Sequence, residues 1–145
     1  APWFAARLPR DNWLLVTRPC VLLQRTTAKE QHRRLIAAEM SESFIRRHKA
    51  VIVENHLNMV RATVPAPQVP AAVIAALLNS AIVDTAFRCI NGSVAVSAFE
   101  LEELPLPPPA TMAKLAGLVA AGATAKKIEA VIAAAYTRDH AAATP

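Results

Sequence analysis

Residues 51–60 read VIVENHLNMV: an apolar run opens the stretch, the polar triplet Glu54-Asn55-His56 interrupts it, and Asn58 follows after one leucine. Alternation with a period of two puts Val51, Val53, Asn55, Leu57 and Met59 on one face of a strand and Ile52, Glu54, His56, Asn58 and Val60 on the other. Neither face is cleanly apolar, and Asn and His are poor strand formers. Such a strand either lies at a surface that touches something polar or feeds a buried hydrogen-bond network. Periodicity alone does not choose between the two.

Upstream, Trp13 to Thr17 is a short apolar run that suits a strand, and Cys20 to Gln24 (CVLLQ) is a second, bounded by Pro19. Trp3 and Trp13 read as local core anchors in preference to stacking platforms. Thr27 with Glu30 three residues on fits a capping box, so residues 28–38 suit a helix with Leu35, Ile36 and Ala38 inward. They suit equally a strand that curls through a polar turn. Residues 41–49 form a short amphipathic helix, with Phe44 and Ile45 inward and Arg46, Arg47, His48 and Lys49 outward. Pro65, Pro67 and Pro70 then mark a stiff connection.

The second half is more regular. Pro70 starts a helix over 72–78 with a stripe of Val69, Val73, Leu77 and Leu78. Asn79 and Ser80 offer a cap for another over 81–89, with Ile82, Val83, Ala86 and Phe87 inward and Asn91-Gly92 as its stop. Residues 93–99 (SVAVSAF) read as a short strand with Val94 and Val96 on one side, and 104–109 alternates Leu and Pro and should be extended. A helix pair over 111–121 and 124–137 breaks at Gly122, with Thr124 as a cap. Met112, Leu115, Leu118 and Val119 line the first helix and Ile128, Val131, Ile132, Ala135 and Tyr136 the second, and the chain should fray from His140. The fold class expected is α+β, a small sheet with packed helices, closed by a C-terminal helical hairpin.

Composition agrees with a folded domain. The 145 residues are 54% hydrophobic and 19% charged, too apolar for a disordered chain and long enough for a real core. Mean hydropathy is +0.28, yet no stretch nears the roughly 18 apolar residues that span a bilayer. A start without Met or a secretory signal suggests a processed or excised piece. Cys20 and Cys89 are far apart and read as free buried thiols of a reducing compartment. Charge changes the picture more. Residues 1–61 hold eleven Lys and Arg against five Asp and Glu, a balance of +6, whereas 62–145 hold five against six. A positive field confined to one half suits a polyanion surface better than an even solubilising coat.

The familiar catalytic patterns are missing from the sequence. Three glycines make no nucleotide loop, and there is no CxxC or HExxH. His32, His48, His56 and His140 are scattered, and Ser80, Ser93 and Ser97 sit in no nucleophile elbow. Glu54 and His56 share a strand face, but no neighbouring group would activate a substrate. The chain is not convincing as a self-contained enzyme.

Three stretches in order, 24–38 (QRTTAKEQHRRLIAA), 51–59 (VIVENHLNM) and 77–107 (LLNSAIVDTAFRCINGSVAVSAFELEELPLP), resemble the C-terminal region of adenine-specific DNA methyltransferases of bacterial restriction–modification systems. The last also resembles its counterpart in type I specificity subunits. The resemblance spans residues 13–109 and implies a target recognition domain over 1–109, with 110–145 as a helical hairpin packed on it. It implies a parent whose separate, N-terminal catalytic domain holds S-adenosylmethionine through a glycine motif and the target adenine through N-P-P-[YF]. This chain has neither motif, nor any Asn-Pro dipeptide. It is therefore expected to bind no cofactor of its own and to be catalytically silent. Its implied partners are double-stranded DNA and that catalytic domain in a bacterial cytoplasm, with no membrane partner and homo-oligomerisation left open. The alternatives are a type I specificity half-domain and an assembly or dimerisation module built on the Ala-rich hairpin.

A DNA-recognition domain must hold phosphates and read base edges. Arg25, Lys29, Arg33, Arg34, Arg46, Arg47 and Lys49 are the candidates for phosphates. Gln24, Arg25, Asn55, His56, Asn58, Asn91, Ser93 and Ser97 are the candidates near base edges, since Asn and Gln pair with adenine and Arg with guanine. Each has a plainer counterpart. The arginines would make a solvated face, Asn55 a framework bond, and Asn91-Gly92 a turn.

Overall fold

The computed structural model describes residues 9–28 and 30–142, with side chains as far as Thr137. Trp3 and Lys29 lie outside the described residues. The architecture is α+β, with two small antiparallel sheets packed against several helices. Its centre is β2 (Cys20–Gln24), flanked by β3 (Ala37–Met40) and β5 (Leu57–Arg61). In this sheet Val21 faces Glu39 on one side and Val60 on the other. The unbroken apolar run of β2 follows from burial on both faces. Val21 and Leu23 enter the main core, while Cys20 and Leu22 join a smaller cluster with Val16, Met40 and Ile45.

The 51–60 stretch is not one strand. β4 (Val51–Ile52) pairs with β1 (Leu15–Val16), and only after a turn at Glu54–His56 does β5 pair with β2. The turn is closed by the Leu57 N–H donating to the Glu54 carbonyl at 3.1 Å, and the His56 N–H donates to the Glu54 carboxylate at 3.0 Å. The polar triplet is thus a turn between two sheets, and the face assignment across it does not hold.

Of the two readings of residues 28–38, the structure has the polar turn leading into a strand, β3. Thr27 caps nothing; its buried hydroxyl donates to the Arg34 carbonyl at 3.1 Å. Helix α1 (Glu42–His48) is capped by Ser41 and buries Ile45. Phe44 stays 44% exposed, its ring 4.4 Å from that of His48, so only one of the two expected inward residues is buried. Trp13 stands within a 3-10 turn over Asn12–Leu14 and is exposed to solvent, so it is not a core anchor. Cys89 is exposed as well, leaving Cys20 as the buried thiol.

Helices α2 (Ala71–Leu78) and α3 (Ala81–Ile90) meet at 69°, with Pro70 and Ser80 as their N-caps. Val73, Leu77, Leu78, Val83 and Phe87 carry the expected stripes into the core. At the break between them, the Asn79 side chain donates to the Ala37 carbonyl (2.7 Å) and accepts from the Ala37 N–H (3.0 Å), which covers the edge of β3. Residues 93–99 differ from expectation. They make one antiparallel bridge, Thr26 with Ala95, and then enter α4 (Ala98–Glu102). Val96 is buried and Val94 is exposed. The capping box between Ser97 and Glu100 stops the strand there.

Helices α5 (Pro109–Ala120) and α6 (Ala125–Ala142) form the hairpin around Gly122, whose φ of 65° suits glycine. Met112, Leu115 and Ile132 share one core with Val21, Leu23 and Phe87. The Tyr136 hydroxyl donates to the Pro105 carbonyl and pins the extended Leu-Pro segment. The helix continues through His140 to Ala142. Among the described residues no single helix is long and apolar enough to cross a membrane.

Candidate functional site

The structure divides the candidate residues into a buried framework and an exposed rim. Arg34 is 2% exposed and heads the framework. Its Nε donates to Thr27 Oγ1 at 2.9 Å, and its Nη2 donates to Asn91 Oδ1 at 2.9 Å and to the Ser93 carbonyl at 2.7 Å. The Asn91 amide in turn donates to the Ala95 carbonyl and to Glu100 Oε2, both at 2.7 Å. Ser97 Oγ also donates to that carboxylate at 2.7 Å, and the Ser97 hydroxyl, with the Asn91 amide, holds the Glu100 carboxyl below its ordinary range. Arg34, Asn91 and Ser97 are therefore taken up inside the fold, bracing two loops against each other.

Asp84 anchors the same framework from α3. Its Oδ1 accepts the backbone N–H groups of Arg34 (2.6 Å) and Leu35 (2.7 Å), and its Oδ2 accepts from Arg88 Nε at 2.9 Å. Burial pushes this carboxyl up, but the Leu35 amide, the Arg88 guanidinium and the Arg34 amide outweigh it, so it lies below the usual value. Arg88 Nη2 reaches on to the carbonyls of Gln31 and His32. Sequence reasoning passed over Asp84 and Arg88, and read Thr27 as a helix cap when it is a partner of Arg34. The Asp84–Arg88 spacing of four, with Asp84 beside the inward Val83, was the available signal.

The rim forms at the C-terminal end of β2. The Arg25 N–H donates to the His56 carbonyl at 2.9 Å, Arg25 Nη1 donates to the Asn55 carbonyl at 3.1 Å, and the Arg25 carbonyl accepts from Val96 N–H at 2.7 Å. Gln24, Arg25, Asn55, His56 and Ser93 are all exposed there. The Gln24 amide donates to the Thr26 carbonyl at 2.9 Å, and Ser93 Oγ to the Ala95 carbonyl at 3.0 Å. Asn58 lies below the rim, half-buried, donating to the Val96 carbonyl. His56 Nδ1 is 2.7 Å from Glu54 Oε1, in the open. The His56 N–H and then its ring draw the Glu54 carboxyl below its ordinary value.

The second basic group is separate. Arg46, Arg47, His48 and Lys49 are exposed at the end of α1, where cations also complement the helix dipole. Lys49 has φ 68° and ψ −50°, and the Ala50 N–H donates to the His48 carbonyl at 2.8 Å, a γ-turn of the rarer positive-φ kind. Glu54 lies five positions after Lys49, a reach of at most about 18 Å. Arg33 is half-buried beside the framework, with Nη1 enclosed and without a hydrogen-bond partner.

Among the described residues no three His, Cys, Asp or Glu side chains gather as a metal site. A shallow groove on the hairpin, lined by Thr111, Lys114, Val131 and Ala135 among others, is mostly apolar and lies on other elements than the rim. Comparison with protein-family models, with curated proteins and with solved structures found no match for this chain.

Proposed function

We propose that this chain recognises double-stranded DNA as the target recognition domain of a site-specific adenine methyltransferase of a restriction–modification system. In that reading, catalysis and S-adenosylmethionine belong to a separate N-terminal domain of the same polypeptide. The observation that carries the reading is the rim. Gln24, Arg25, Asn55 and His56, drawn from segments far apart in sequence, are exposed together at one end of β2. Their amide and guanidinium groups are types that read base edges. The exposed cations at the end of α1 are of the type that holds phosphates. The uneven charge of the chain supports the same reading.

The test is fluorescence anisotropy of the purified chain with mixed-sequence duplexes across a salt series. Affinity should fall steeply with salt. Changing Arg46 and Arg47 together to Ala should lower the slope of log K against log salt by about 2, near 0.9 per phosphate contact. Absence of duplex binding at low salt would reject DNA recognition by this chain and favour an assembly role.

A further inference from the structure

Trp13 has the highest exposure of the large hydrophobic side chains among the described residues, 79%. Its backbone is held, not loose: in the 3-10 turn the Asn12 N–H donates to the Pro9 carbonyl at 3.2 Å and the Leu14 N–H to the Asp11 carbonyl at 3.0 Å. The turn feeds directly into β1, where Leu15 pairs with Ile52. Trp13 lies two residues before that pair and Glu54 two residues after it, so both lie within about 7 Å of the same end of the ladder. The Glu54–His56 turn begins there, and Arg25 is hooked onto its Asn55 and His56 carbonyls. The fold thus brings one large exposed indole to the end of the β1–β4 ladder from which the turn of the polar rim departs.

The surroundings favour a nucleobase over a protein surface as its occupant. The exposed groups carried by the turn that leaves this end of the ladder, or hooked onto it, are Asn55, His56 and Arg25. Polar and cationic groups on the same side of a fold as an exposed aromatic ring are the combination that holds phosphates and stacks on a base. An enzyme that displaces its target adenine from the duplex leaves an unstacked position, and wedge side chains enter such positions. Resting on the DNA-recognition reading, we propose that Trp13 stacks in the bound duplex at a position where a base has lost its neighbour, stabilising the opened form of the site.

The test compares short duplexes that are fully paired or carry a central abasic gap. Binding is measured by anisotropy for the parent chain, Trp13→Ala and Trp13→Phe, with circular dichroism to check folding. The parent should prefer the gapped duplex by roughly tenfold, the scale of one base–aromatic stack. Trp13→Ala should lose that preference while keeping its affinity and salt slope on paired duplex, and Trp13→Phe should keep part of it. A gap preference unchanged in Trp13→Ala, or absent in the parent, overturns the stacking role alone and leaves Trp13 for a protein surface. Failure of the parent to bind any duplex overturns the DNA reading, and the stacking role with it.

Discussion

Arg33 and Arg34 are neighbours of identical chemistry, yet one is half-exposed and the other is among the most buried large side chains in the fold. Buried cations persist only when their donors are matched, and Thr27, Asn91 and the Ser93 carbonyl do this for Arg34. Arg34→Ala should cost about 3 kcal/mol in urea unfolding, because it leaves the Thr27 and Asn91 acceptors enclosed and unmatched. Arg47→Ala, on the surface, should change stability by no more than about 0.5 kcal/mol. Asp84 adds a pH dependence. Its folded carboxyl lies below the unfolded value of about 3.9, so its contribution is present above that pH and is lost as pH falls through the folded value. The urea midpoint should therefore drop between about pH 4 and lower pH. Asp84→Asn should shrink that drop while lowering stability at pH 7 by about 2 kcal/mol, since an amide nitrogen would face the Arg88 guanidinium.

At the scale of elements, the helices were the most legible and the strands the least. α2, α3, α5 and α6 have apolar stripes at helical spacing and caps or proline where the chain enters them, all local signals. The polar triplet at Glu54–His56 misled because alternation reads the same whether one strand continues or two meet at a turn. Residues 93–99 misled because a capping box outweighed β-branched residues. The join between α1 and β4 also has a testable cost. Lys49 occupies a positive-φ γ-turn that glycine adopts with less strain. Lys49→Gly should raise stability by about 1 kcal/mol in urea unfolding, a net figure that includes glycine's greater freedom in the unfolded chain.

For the whole molecule, pattern and composition were enough to determine an α+β chain with a real core, a helical hairpin at its end and a positive first half. Those properties depend on local periodicity, capping and summed charge, which need no knowledge of distant contacts. Of the candidate site residues, the basic knot at the end of α1 was legible for the same reason: it lies on one short amphipathic helix. The assignment of each remaining polar residue to framework or rim was decided only by the tertiary structure. Arg34 became internal because Asp84 and Asn91, about 50 residues away or more, supply its partners. Arg25, Asn55 and His56 became neighbours because β2 and β5 pair in one particular register. Trp13 became exposed because its 3-10 turn packs no residue into either core. A side chain's burial is set by what long-range packing brings against it, and one residue's type does not contain that information.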